Sequence, residues 1–191
     1  MIIYTLKRMK TKLLFLLPLV AMISCGPSQE DLTNQRIQGL TKMAELGTVE
    51  YTVKKIIKTD DAVWWKWGKR KIVFTCKAFI KAGIDLNGFS AARVDYKSVK
   101  NQITIDLPKA KILSFNMPPE EINLEFSKIT GFRDKFSPEE KQQLLVLGEK
   151  DIRGDKSIEE GILADAEANA RLFFSAMFSQ LGYETVIVNY K

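Results

Sequence analysis

RKIVFTCKAFI, residues Arg70–Ile80, sets Ile72, Phe74, Cys76, Ala78 and Ile80 in alternation with Val73, Thr75, Lys77 and Phe79. Successive side chains of an extended chain point to opposite faces, so this pattern predicts a strand with one buried side, continuing to Ile84. Upstream, Glu45–Lys58 has the same period, with Val49, Tyr51 and Val53 between polar neighbours. A charged break at Thr59, Asp60 and Asp61 separates the two runs, and two long strands joined by a connector predict an antiparallel pair. Downstream, Val94 and Tyr96, then Ile103, Ile105 and Leu107, then Lys111–Phe115 and Ile122, Leu124 and Phe126 extend the series. Pro108 has no N–H to give to a ladder and should end its strand.

The period changes at Ser137. SPEE places Ser137 as an N-cap, Pro138 at the first helical position and Glu140 as the reciprocal partner of a capping box, predicting a helix to about Lys150. SIEE repeats the device at Ser157 and Glu160, opening a second helix along Ile158, Ile162, Ala166, Ala170, Phe173 or Phe174, Met177 and Leu181. Gly182 stands where a helix-ending glycine belongs, and YETVIVNY returns to strand. The expected fold is α+β: an antiparallel sheet packed by one or two C-terminal helices and closed by a terminal strand. The alanine-rich stretch of the second helix, from Ala164 to Ala176, suits close packing on the sheet or, as the alternative, a homo-oligomer contact.

The amino-terminal segment reads differently. Lys7, Arg8, Lys10 and Lys12 precede an apolar run from Leu13 to Ile23, interrupted by Pro18, and no acidic residue occurs before Glu30. Crossing a bilayer takes roughly 20 apolar residues, so the run is too short to span, and its order is that of an export signal beginning at Met1 or Met9. MISC at Met22–Cys25 resembles the lipobox of bacterial lipoprotein precursors. That resemblance implies cleavage between Ser24 and Cys25 and lipidation of the Cys25 thiol. The alternatives are a plain secretory signal with a coincidental cysteine and a buried N-terminal helix. The domain division that follows is residues 1–24 as signal peptide, 25–44 as lipidated cysteine and tether, and 45–191 as a single α+β domain.

Charge and composition narrow the function. Four of the 29 basic residues and none of the 23 acidic ones precede Cys25, which leaves the remainder at +2. The positive balance belongs largely to the signal, and no nucleic-acid footprint is expected. There is no histidine, so Ser-His-Asp and Cys-His nucleophile systems and histidine-bearing zinc sites are excluded. With Cys25 acylated, only Cys76 remains, and its apolar neighbours predict a buried, inert thiol.

The most unusual segment is VWWKWGKRK, Val63–Lys71. Trp64, Trp65 and Trp67 with Lys66 and Arg70 are the candidate contact with a membrane or an anionic ligand, because indole and cation are both satisfied at a headgroup zone. The competing reading buries the tryptophans beneath a hairpin end. DLNG at Asp85–Gly88 lacks the remainder of a calcium loop and is expected to be a simple turn, with no metal and no cofactor. Asp85, Asp95 and Asp106 are the carboxylates that would have to converge for a hydrolase, while Glu159, Glu160, Asp165 and Glu167 suit a solvated helix face.

ELGTVEYTV, GKRKIVFTCKAFIKAGIDL, ITIDLPKAKIL and GILADAEANARLFFSAMFSQLGYETVIV together resemble a bacterial domain-of-unknown-function family, number 4230 in that series. The resemblance runs from about Glu45 to Val188. It implies a fold and an envelope tether, and it transfers no catalytic residue. The expected role is a lipid-anchored envelope protein acting as a binding or assembly module, with Gly26 favouring the outer membrane. Its partners would be the membrane through Cys25 and an envelope protein or glycan. The alternatives are an envelope enzyme using carboxylates on glycan or lipid, and a homo-oligomeric scaffold.

Overall fold

The computed structural model describes residues 26–61 and 66–191. The export signal, Ser24, Cys25, Trp64 and Trp65 lie outside the described residues. The first element is a helix, α1 (Gln29–Thr41), followed by a hairpin of β1 (Glu45–Asp61) and β2 (Arg70–Asp85). Then come β3 (Val94–Asp95), β4 (Gln102–Leu107), β5 (Ala110–Asn116) and β6 (Ile122–Ile129). The chain ends with α2 (Pro138–Arg153), α3 (Lys156–Ser179) and β7 (Thr185–Tyr190).

The hairpin organises the molecule. β1 and β2 pair antiparallel from Glu45 opposite Asp85 to Asp61 opposite Arg70, with an irregularity between Gly47 and Val49. The other edge of β2 is shared: β6 takes its first half, Arg70–Cys76, and β5 its second, Phe79–Ile84. Ile72, Phe74, Cys76, Ala78 and Ile80 are all buried, as their alternation predicts. At about 3.3 Å per residue the 17 residues of β1 make a ribbon about 50 Å long.

β3, β4 and β7 form a second, three-stranded sheet, in which β4 and β7 run parallel from Gln102 beside Thr185 to Leu107 beside Tyr190. The α+β class stands, but the terminal strand closes this smaller sheet in parallel and does not extend the antiparallel one. A parallel neighbour needs a long crossover, and here everything from β5 to α3 supplies it.

α3 joins the two halves. Ile162 and Ala166 pack with Cys76, Ala78 and Ala82 of β2, while Ala170, Phe174 and Phe178 enter the cluster containing Ile103, Ile105, Leu107 and Val188. Ala166 and Ala170 are buried, the close-packing role expected of them, whereas Ala164, Ala168 and Ala176 face outward. α2 has the capping box read from SPEE, Ser137 with Glu140. In α3 the cap is Asp155, whose carboxylate accepts from the N–H groups of Ser157 and Ile158, so the SIEE reading sets the start two residues late. Gln180 caps its end, and Gly182, at φ +93°, turns the chain beyond it.

The segment expected to be a tether is α1, and it belongs to the core. Ile37 (2 % exposed) and Leu40 (3 %) lie in the cluster with Ile84, Leu86 and Phe178. Thr33 is fully buried, its hydroxyl donating to the Gln29 carbonyl and sharing a hydrogen bond with the Tyr183 hydroxyl at 3.0 Å. Positions 33, 37 and 40 share one helix face, and Ser28 with Asp31 closes a capping box ahead of them. The folded unit therefore takes in Ser28 onward.

Candidate functional site

The far end of the long ribbon is built from two loops. The Trp67–Lys69 turn leads into β2, and residues 130–133 leave β6. The Thr130 N–H donates to the Lys69 carbonyl at 3.0 Å and the Phe132 N–H to the Trp67 carbonyl at 3.1 Å. The Lys69 N–H donates to the Thr130 hydroxyl at 3.0 Å. The loops touch through glycine: Gly68 has φ +114° and Gly131 φ +69°. A Cβ on Gly68 would sit 1.9 Å from the Thr130 carbonyl oxygen. Only glycine permits this approach and this backbone.

The brace holds two aromatic rings in water. Trp67 is 75 % exposed and Phe132 87 %, with ring centroids 5.7 Å apart. Lys66 and Lys69 are exposed beside them. Of the connector's candidate contacts, Trp67 and Lys66 are thus exposed at the tip, and the buried reading does not hold for Trp67. Phe132, some sixty residues downstream, joins them through the loop pairing.

Arg70 is placed otherwise. Its Nε donates to Asp61 at 2.9 Å, its Nη1 and Nη2 donate to Glu140 at 3.1 and 2.8 Å, and its plane lies 4.4 Å from the centre of the Phe136 ring. Nη2 bonds Asp61 as well, and Arg133 donates to the same carboxylate at 2.6 Å. Hydrogen bonding from Arg70 holds both carboxyls below their ordinary range. Glu140 also accepts from the Ser137 N–H, so one carboxylate caps α2 and ties it to the ribbon. Arg70 is a brace beneath the tip, committed to protein partners, and not a free contact.

The other carboxylates do not converge. Asp85 bonds Lys111, Asp95 takes the N–H groups of Lys97 and Ser98 in a turn, and Asp106 bonds Lys191 and Asn189. Each is held below its ordinary range, by Lys111, by Ser98 and by Lys191 in turn. Asp85–Gly88 is a turn with Gly88 at φ +75°. Glu159 and Glu160 are solvated, but Asp165 accepts from the Tyr51 hydroxyl at 2.6 Å and Glu167 from the Ala110 N–H at 3.2 Å. Among the described residues no three Asp, Glu, Cys or His side chains gather as a metal site. Cys76 is fully buried, its thiol donating to the Lys55 carbonyl, and burial raises its pKa. Asp85, Asp95 and Asp106 are thus each committed to their own donors.

The start of α1 sits against Tyr96, Lys97, Gly182 and Tyr183, past the Glu45 end of the ribbon. α1 leads into β1 at its Glu45 end, whereas Trp67 lies beyond its Asp61 end, about 50 Å of strand away. Among the described residues no helix is long and apolar enough to cross a membrane. Residues 38–188 match the family model described as Protein of unknown function (DUF4230), and the chain belongs to that family. No curated protein and no solved structure matches it.

Proposed function

We propose that this member of the DUF4230 family is an envelope-anchored lipoprotein whose folded domain is a binding or assembly module working through its aromatic tip. The anchor is Cys25, freed by cleavage after Ser24 and lipidated. The basic flank, short apolar run and MISC box support it, and Gly26 favours the outer membrane. Two or more acyl chains hold a protein stably on a bilayer where one does not. Cys25 lies three residues before the Ser28 cap, so the anchor would hold the domain by its α1 end.

The observation that carries the module reading is the tip itself. Trp67 and Phe132 keep most of their area in water on a turn stiffened by two glycines and three hydrogen bonds. Exposed aromatic rings on a rigid support are what binding surfaces use, since little side-chain entropy is left to lose. The carboxylate-enzyme alternative draws no support from Asp85, Asp95 and Asp106, each tied to its own donors. The scaffold alternative loses Ala166 and Ala170, which are buried inside the protomer.

Two measurements test the proposal. Cells fed a labelled fatty acid should label the protein, and Cys25→Ala should abolish the label; label persisting in that variant would count against the anchor. A photoreactive residue at position 132 should crosslink in intact cells more than one at exposed position 172. Equal yields would remove the tip from the proposal.

A further inference from the structure

Among the described residues, helices cover the large sheet on one side only. α2 and α3 lie on the face of Ile72, Cys76 and Ala78. Residues directly opposite one another in a ladder share a face, so the register defines the other side. Along β1 it consists of Glu50, Thr52, Lys54, Ile56, Lys58 and Asp60, all exposed.

This open face is basic, and two of its lysines face lysines across the ladder. Lys54 stands directly opposite Lys77, and Lys71 lies between Lys128 on β6 and Asp60 on β1, which it bridges at 3.2 Å. Like charges facing each other across a ladder destabilise it. Lys58 and Lys81 complete six lysines, against Glu50, Asp60 and Glu121, the last of which reaches Lys77 at 2.7 Å. Between the two lysine pairs runs an apolar stripe: Ile56 on β1, Val73 on β2 and Phe126 directly opposite Val73 on β6. Ile56 and Phe126 are about half exposed. Trp67 and Phe132 stand at one end of this surface.

We infer that this open sheet face is a docking surface for an anionic lipid bilayer. A flat face with cations flanking an apolar stripe matches an interfacial surface, where lysine meets lipid phosphate and the apolar residues enter the headgroup zone. A soluble polyanion would use the lysines and leave the stripe and the aromatic rings in water. The inference deepens the anchored-module reading. With α1 and Trp67 at opposite ends of the β1–β2 ribbon, a domain held at its α1 end brings its tip to the same membrane only by lying along it. The open face is then the side that meets lipid.

The test uses the chain from Gly26 onward, which keeps every residue of the three apolar clusters. Binding is measured to vesicles of phosphatidylcholine alone and of phosphatidylcholine with phosphatidylglycerol. The anionic vesicles should bind the domain, and the Lys54→Glu, Lys58→Glu double variant should bind them more than tenfold more weakly. Lys54→Glu alone places a carboxylate opposite Lys77, so its melting temperature should equal or exceed the parent's while vesicle binding falls. Lys100→Glu, an exposed lysine away from the face, should change binding little. Equal binding to both vesicles, an equal loss in Lys100→Glu, or capture of soluble polyphosphate with no vesicle binding would each overturn the inference. The fatty-acid label at Cys25 is read separately, so failure here leaves the anchor standing.

Discussion

Leu40→Ala distinguishes a core helix from a tether. Leu40 is 3 % exposed in the cluster with Ile84, Leu86 and Phe178. Removing a buried leucine side chain beyond Cβ costs about 2–5 kcal/mol, the spread reflecting how far the cavity collapses. α1 packs at the margin of the domain, where neighbours relax more easily, so we expect about 3 kcal/mol. A domain of this size loses about 2–4 °C of Tm per kcal/mol, so melting should fall by roughly 6–12 °C. Urea denaturation of the chain from Gly26 onward, followed by circular dichroism, reads the same change as a lower midpoint at constant slope. Leu147→Ala, at an exposed site on α2, is the control and should move stability by no more than about 0.5 kcal/mol. A Leu40→Ala change as small as the control's would refute the placement of α1 in the core and restore the tether.

Other perturbations check the remaining joints. Gly131→Ala forces a Cβ to 2.5 Å from the Trp67 carbonyl oxygen at positive φ, and should unbrace the tip, with faster amide exchange at Phe132 and a stability loss of about 1–3 kcal/mol. Asp61 and Glu140 have folded pKa values below their unfolded ones, so their contribution is present above about pH 4 and is lost as pH falls through the folded values. Arg70→Met should cost about 2 kcal/mol at neutral pH and flatten that acid dependence; unchanged acid melting profiles would count against the brace. Cys76 should react with a thiol reagent only at the rate of unfolding, and prompt reaction in the native protein would contradict its burial.

The sheet face, the capping box of α2 and the exclusion of histidine chemistry were legible in the chain because each depends on neighbours close in sequence. Ile72 to Ile80 alternate whatever lies beyond them, and Ser137 with Glu140 closes its own loop of four residues. The SIEE reading sets the cap of α3 at Ser157, two residues late. The cap is Asp155, whose carboxylate reaches the N–H groups of both Ser157 and Ile158. α1 left a thin trace in positions 33, 37 and 40. Thr33 hides it, since a threonine reads as polar until Tyr183 arrives from 150 residues away to meet its hydroxyl.

Sequence alone determined which residues turn inward along β2 and α3, because a side chain's face follows from backbone period; the buried face of α1 and the bulge that sets Phe126 on the open face did not follow from it. Tertiary structure decided who meets them: β7 lying parallel to β4, Phe132 joining Trp67, Arg70 drawn between Asp61 and Glu140, and Lys54 set opposite Lys77. Most of these contacts join segments tens of residues apart, where local patterns carry no information about pairing. The open basic face exists only once the strands are in register.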